Sequence, residues 1–188
     1  MNKKGIIIFS VVLVIVLGYF INTYNNFQIL DEKVSSNWAQ VENQLKRRND
    51  LIPNLINTVK GYSKHEKEIF TQVSEARAKL SSSLSSNDIQ AIQKNNAELN
   101  SALSRLIAIA ENYPTLKADK NFLALQDELA GTENRIAVAR RDYNESVKTL
   151  NTSIRMFPAS LIAGIANVEQ KKYFEVPEVE KTVPKVEF

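Results

Sequence analysis

The stretch GIIIFSVVLVIVLGYFI, residues 5–21, contains no charged residue and consists mostly of Ile, Val, Leu and Phe. At about 1.5 Å per helical residue it covers roughly 26 Å. Tyr24 and Phe27 extend it toward the roughly 30 Å hydrocarbon thickness of a bilayer. The pattern predicts a permanent transmembrane anchor over residues 1–26, which contacts lipid through residues 5–24.

The charges on either side of this stretch predict its orientation. Lys3 and Lys4 precede it, whereas Lys33 is the first basic residue after it. Basic residues are retained on the cytoplasmic side of membrane helices. We therefore expect a single-pass protein of the cell membrane whose helical domain lies outside the cytoplasm.

Composition excludes several classes of function. The 188 residues include no cysteine and one histidine, and the net charge of +3 arises from 24 basic and 21 acidic residues that are interspersed. Disulfides, thiolate metal sites and cysteine nucleophiles are excluded. The absence of a long basic run argues against a nucleic-acid partner.

Heptad patterns fill most of the chain after the apolar stretch. Apolar residues recur at alternating steps of three and four, which places one apolar stripe on each helix, as in left-handed bundles. The four patterned stretches cover residues 27–45, 52–80, 89–113 and 122–157. The chain is therefore predicted to be all-α.

Two architectures fit this pattern. In the preferred one, the chain reverses at Asn49-Asp50, with Asp50 as the N-cap of a helix that carries Pro53 in its first turn, and forms an up-and-down four-helix bundle. In the alternative, residues 27–80 form one helix kinked at Pro53, and the bundle has three members. The unbroken heptad phase favours the continuous helix, whereas the matching of helix lengths favours the reversal.

Other breaks follow from local chemistry. Helices are expected to end at a polar loop over residues 81–86, at Pro114 and at Pro158. They are expected to begin at a capping pair of Asn87 with Gln90 and at Asp119 as an N-cap. The resulting domains are a bundle over residues 27–157, a short apolar capping or interfacial segment over residues 158–170, and an extended, mobile tail over residues 171–188.

No catalytic constellation is recognisable. His65-Glu66 begins like a zinc-protease HExxH motif, but Ile69 occupies the position of the second histidine. A di-metal centre of the ferritin type also needs more histidines. We therefore expect a protein that is not an enzyme and that holds no cofactor.

Two sets of residues are candidates for function. Glu66, Asn96 and Thr132 interrupt the apolar stripes, and they predict either a ligand or ion site inside the bundle or a polar seam that sets helix register. Arg140 and Arg141 lie in a charged region of the last helix, and Phe188 ends the tail with an apolar side chain. These last three residues are the candidate interaction surface.

The sequence resembles the LemA family of bacterial membrane proteins. The resemblance is carried by LKRRNDLIPNLINTVKGYSKHEKEIF (45–70), by Tyr173-Phe174-Glu175, and by SRLIAIAENYPTLKADKNFLALQDELAGTENRIAVARRDYNESVKTLNTSIRMFP (104–158). It implies one transmembrane helix followed by an α-helical bundle, and it implies no enzymatic activity. It also implies envelope proteases as partners and an N-terminus outside the cell, the reverse of the charge argument.

Together these features predict a membrane-anchored, non-enzymatic scaffold or adaptor of the bacterial cell envelope, with protein partners. The alternative is a ligand-sensing bundle that signals through a partner protein.

Overall fold

The computed structural model describes residues 3–62 and 66–175, and every regular element within them is helical. The helices are α1 (Lys3–Lys60), α2 (Lys67–Ser86), α3 (Ile89–Ala110), α4 (Pro114–Lys117), α5 (Lys120–Arg155) and α6 (Ala159–Ile165). The predicted all-α class is confirmed, and the N-terminal helix is long.

Helix α1 passes without interruption through Asn49 and Asp50, so the predicted reversal at these residues is wrong. The alternative was right that the helix continues through Pro53, but wrong about where it ends. The turn comes at Gly61 and Tyr62. Because the break is displaced by about eleven residues, the chain still has four long helices, namely α1, α2, α3 and α5.

A side chain from α2 explains how α1 continues past Pro53. Proline has no amide hydrogen, so the carbonyl of Asn49, four residues earlier, lacks its helical donor. The Nε–H of Arg77 donates to this carbonyl oxygen at 3.0 Å. The carbonyl that proline leaves unpaired is therefore satisfied by a tertiary contact.

The chain divides into two compact units, and α1 and α5 contribute to both. The anchor unit comprises Met1–Trp38 and Arg141–Tyr173. The bundle unit comprises Ala39–Arg140 and Phe174–Phe188.

Neighbouring helices in the bundle unit run antiparallel. Along α1 and α5, Arg47 pairs with Glu128, and Tyr62 with Asp119. The α2 and α3 helices are linked between Lys79 and Glu98 and, about two turns away, between Gln72 and Arg105. In each pair the residue numbers rise on one helix and fall on the other, as up-and-down topology requires. The fully buried core side chains include Leu45, Ile52, Leu55, Leu80, Ile92, Leu99, Leu106, Phe122 and Ile136.

The observed helix ends confirm one local prediction and correct several others. Asp119 caps α5 as predicted, because its Oδ1 accepts hydrogen bonds from the amides of Asn121 and Phe122. The N-cap of α3 is Asp88, and Asn87 instead ends α2 in a left-handed conformation. Residues 81–86, predicted as a loop, form the last turns of α2, where serine hydroxyls donate to carbonyls of the preceding turn. Helix α3 ends at Ala110, and Pro114 occupies the first turn of α4.

The anchor unit is built where α1 packs on α5. The Trp38 and Tyr143 rings lie 5.2 Å apart between centroids. The buried apolar residues of this unit are Phe27, Val34, Trp38, Tyr143, Val147, Leu150, Ile162 and Ala163. Helix α6 lies within the predicted apolar segment 158–170.

The segment that follows α6 is bound to α5 through its main chain. The Asn151 side chain donates to the carbonyl of Lys171 at 2.8 Å and accepts from the Lys171 amide at 2.9 Å. The Tyr143 hydroxyl donates to the carbonyl of Lys172 at 2.8 Å. Residues 171–175 have no regular secondary structure, and the sequence did not predict these contacts. Residues 176–188 lie outside the described part of the chain.

Replacing Asn151 with alanine should release this segment. Two hydrogen bonds are lost at a buried position, so we expect a stability loss of about 1–3 kcal/mol and faster hydrogen exchange at the Lys171 amide. Lys171→Ala is the matched control, because it removes only the half-exposed ion pair with Asp31 and keeps both main-chain bonds. Equal exchange rates in the two variants would contradict the assignment.

Candidate functional site

The predicted polar residues are partly brought together in the bundle unit. Asn95, next to Asn96 on α3, donates to the carbonyl of Lys79 and to the Ser83 hydroxyl on α2, each at 3.2 Å. Arg77 of α2 reaches Asn49 of α1. These contacts align α1, α2 and α3 at one level of the unit.

The remaining helix, α5, joins the same level through an ion pair. The Arg48 guanidinium contacts the Glu133 carboxylate at 2.5 Å, and only 8% of the Arg48 side chain is exposed. Thr132, beside Glu133, is fully buried. Asn96 and Thr132, each next to a residue that makes these contacts, therefore lie at about the same level of the unit.

Glu66 does not belong to this level. It precedes α2, and one of its carboxylate oxygens accepts a 3.5 Å hydrogen bond from the Tyr113 hydroxyl. Of the three predicted seam residues, the structure thus brings two together and leaves Glu66 at one end of α2 and α3. His65 lies outside the described residues.

We call Arg48, Asn49, Arg77, Asn96 and Thr132 the polar layer. Thr132 satisfies its hydroxyl within its own helix by donating to the Leu129 carbonyl at 2.8 Å. The side-chain oxygens of Asn49 and Asn96 are buried and have no hydrogen-bond partner among the described residues. Unpaired buried acceptors lower the stability of the folded protein unless a donor from outside the protein forms a hydrogen bond to them.

A cleft opens on each side of the polar layer. One, of about 330 Å³, lies between α1 and α2 and is lined by Lys46, Asn49, Asp50, Arg77 and Ser81 among others. The other, of about 420 Å³, lies among α1, α3 and α5 and is lined by Arg48, Asn100, Gln126, Leu129 and Glu133 among others. Both clefts combine amide acceptors with guanidinium donors, so their chemistry suits small polar molecules. No cluster of metal-ligating side chains occurs within residues 3–62 and 66–175.

The sequence did not single out Arg48 or Arg77 as members of this layer. Arg48 occupies a stripe position between Leu45 and Ile52, where a buried charge is unusual. The missing amide hydrogen of Pro53 was a second signal, since a carbonyl deprived of its helical donor requires another donor.

The three residues of the predicted interaction surface differ in their surroundings. The Arg140 guanidinium stacks 4.8 Å from the centre of the buried Phe174 ring, so it is engaged within the protein. Arg141 is exposed, and its guanidinium contacts Asp142 at 3.0 Å. Phe188 lies outside the described residues. Arg141 is therefore the accessible member of the set within the described chain.

A separate pair of residues links the C-terminal end of α1 to the N-terminal end of α5. The Tyr62 hydroxyl donates to Asp119 Oδ2 at 2.8 Å. Hydrogen bonds from the Phe122 amide and the Tyr62 hydroxyl lower the pKa of Asp119 below its ordinary 3.8. The hydrogen bond to Asp119 and its negative charge raise the pKa of Tyr62 above its ordinary 10.0.

This pair predicts a pH dependence. A carboxyl whose folded pKa is lowered stabilises the fold above its unfolded pKa, and this contribution disappears as the pH falls through the lowered value. We expect Asp119→Asn to be less stable than wild type at pH 7 and the difference to vanish well below pH 3.8. Thermal unfolding of both proteins across this range measures the effect, and a difference independent of pH would contradict it.

Comparison with known proteins finds a family model and relatives that match most of the chain. The family model described as LemA family matches residues 37–188. The chain is similar to magnetosome protein MamQ 2 of Paramagnetospirillum magneticum, with 26% identity over 175 residues, covering 81% of this chain and 64% of that protein. It therefore spans somewhat less than two thirds of this relative.

Two further relatives are similar over most of the chain. Magnetosome protein MamQ of Magnetospirillum gryphiswaldense is 24% identical over 201 residues, covering 93% of this chain and 74% of the relative. Protein LemA of Metamycoplasma hominis is 23% identical over 185 residues, covering 95% of this chain and 82% of the relative.

Proposed function

The chain belongs to the LemA family, and from this membership and its structure we propose that it is a membrane-anchored scaffold or adaptor of the bacterial cell envelope. In this proposal residues 5–24 cross the cell membrane once, and the helical domain binds other proteins without catalysing a reaction.

One observation carries the proposal. Helix α1 is long and apolar enough near its N-terminus to cross a membrane, and the side chains of that part are exposed. Within the anchor unit the same helix continues to Phe27, Val34 and Trp38, which are buried where α1 packs on α5. Because the helix is continuous, the packing of α1 on α5 in the anchor unit is held at a set height above the lipid in this proposal. That geometry suits a scaffold better than a freely diffusing enzyme.

The chemistry of the side chains supports a binding role without catalysis. The sequence has no cysteine and a single histidine, His65. The buried guanidinium of the polar layer is neutralised by Glu133. Envelope proteases, which the family resemblance implies, are the first protein partners to test.

Photo-crosslinking at Arg141 tests the scaffold. A photoreactive amino acid at this exposed position should give adducts with other proteins in intact membranes of the producing cells. The same amino acid at Val14, in the apolar stretch, is the matched control and should give lipid adducts. Adducts at Arg141 that contain only the chain itself would refute the proposal.

Because the native chain lacks cysteine, labelling can test the orientation. In the proposed topology the bundle unit lies outside the cytoplasm, so a Ser85→Cys variant should react with a membrane-impermeant maleimide in cells whose cell membrane is intact. Labelling only after lysis would reverse the orientation and favour the one that the family resemblance implies.

The polar layer supports a second candidate function, a bundle that senses a small ligand. The observations in its favour are the buried, unpartnered side-chain oxygens of Asn49 and Asn96, and Asn49 lines the cleft between α1 and α2. A signal would then pass to a partner protein through the outer helix faces.

Replacing Asn96 with leucine separates the two functions. Leucine has a similar shape and no unpaired acceptor, so we expect unfolding stability to rise by about 1–3 kcal/mol. If the layer binds a ligand, native mass spectrometry of protein purified from its own membranes should detect a bound small molecule in wild type and lose it in the variant. A more stable variant with unchanged mass spectrum and unchanged cross-links would leave only the scaffold.

A further inference from the structure

Residues around α6 expose a row of large apolar side chains. Phe157 is 81% exposed, Leu161 62% and Ile165 74%, at intervals of four residues. Leu161 and Ile165 share one face of α6, whereas Ile162 and Ala163 on its other face are buried. We call Phe157, Leu161 and Ile165 the apolar row. A water-soluble surface rarely concentrates such side chains.

The anchor unit positions the start of this row beside the end of the apolar stretch. A cleft of about 270 Å³ is lined by Tyr19, Thr23 and Phe27 of α1 together with Met156 and Phe157, among others. Tyr19 still belongs to the apolar stretch, and Phe27 lies six residues beyond its last member, roughly 9 Å along the helix.

The residues after α6 lie further along α1. A second cleft in the anchor unit is lined by Gln28 and Asp31 of α1 and by Asn167 and Lys171, among others. Lys171 also forms an ion pair with Asp31 at 2.8 Å. The segment therefore begins level with the end of the apolar stretch and finishes level with the first charged residues of α1.

This level coincides with the membrane interface. The headgroup region of a bilayer adds roughly 5–8 Å on each side of the hydrocarbon core. Amphipathic helices bury their apolar faces about 5–10 Å into this boundary. If residues 5–24 cross the membrane, as proposed above, the apolar row lies at that depth. Because the apolar row is continuous with the transmembrane stretch, the lipid leaflet is what covers these side chains.

We infer that residues 156–165 form a second membrane contact, in which α6 lies in the interface and inserts Phe157, Leu161 and Ile165 into the leaflet beside α1. The protein is then held to the bilayer at two points, a crossing helix and an interfacial one. The second contact also restricts rotation of the anchor unit about the axis of α1.

Single cysteines introduced into the native chain, which has none, test this inference. Full-length Leu161→Cys, Ile165→Cys, Val12→Cys and Glu145→Cys variants are labelled with an environment-sensitive fluorophore and reconstituted into phosphatidylcholine–phosphatidylglycerol vesicles. Nitroxide groups are attached to the lipids either near the headgroup or deep in the acyl chain. Circular dichroism verifies that each variant has the helix content of wild type.

We expect labels at positions 161 and 165 to be quenched most strongly by the shallow nitroxide, and the label at 12 by the deep one. The label at 145, an exposed position on α5 about 17 Å before Met156 along the helix, should be quenched by neither. Labels at 161 and 165 that escape lipid quenching, because water, a second copy or another protein surrounds them, would overturn the inference and leave the anchor intact. Absence of deep quenching at 12 would instead refute the anchor itself.

Discussion

Replacing Leu51 with proline is expected to destabilise the protein by about 3 kcal/mol or more, because residue 51 lies inside an uninterrupted helix. Proline there removes the amide that donates to the Arg47 carbonyl, and its ring clashes with that same turn. It also disfavours the helical conformation of Asp50. For a chain of this size the melting temperature should fall by roughly 6–12 °C.

If the chain instead reversed at Asn49-Asp50, the same substitution would be expected to leave the stability of the protein unchanged. Residue 51 would then be the first residue of a new helix, a position at which proline is favoured. Leu51→Ala is the control for the lost side chain, which is only half buried. Thermal unfolding of the detergent-solubilised chain compares the three proteins, and a proline variant as stable as the alanine variant would contradict the continuous helix.

Replacing Pro53 with alanine should stabilise the protein by up to about 3 kcal/mol, the difference between these residues in a helix interior. Alanine restores the amide that donates to the Asn49 carbonyl. Arg77→Met alone should cost about 1–3 kcal/mol, since it removes the present donor to that carbonyl and keeps most of the side-chain volume.

The two substitutions should not be additive. In the Pro53→Ala background the Asn49 carbonyl has a helical donor, so Arg77→Met should cost about 1 kcal/mol less than in wild type. Urea unfolding of the four proteins in this double-mutant cycle measures the coupling. A coupling energy of zero would show that Arg77 does not compensate for the proline.

Both experiments concern the region of α1 where the local sequence pattern and the structure disagree. The Asn-Asp pair followed by Pro53 has the local chemistry of a helix start, and the matching of helix lengths pointed the same way. The heptad phase from Leu45 through Arg48 to Ile52 pointed to a continuous helix, and it was the better guide. Arg77 resolves the conflict, but nothing near residue 53 in the sequence reveals its contact.

The polar layer illustrates a similar division. Asn96 and Thr132 were recognisable as polar residues in apolar stripes, because heptad spacing depends on neighbouring residues alone. That they share a level with Arg48 follows from the antiparallel alignment of four helices. Glu66 has the same sequence signature and lies elsewhere, because α2 begins one residue after it.

The sequence by itself determined the helical class, the apolar N-terminal stretch and most buried stripe positions, since each is a local property of hydrophobicity and spacing. Only the tertiary structure decided that α1 passes Pro53, that the polar residues of different helices meet, and that Asn151 holds the main chain of Lys171. These outcomes depend on pairings between residues 20 to 85 positions apart. Such pairings form when helix faces dock, so no local pattern encodes them.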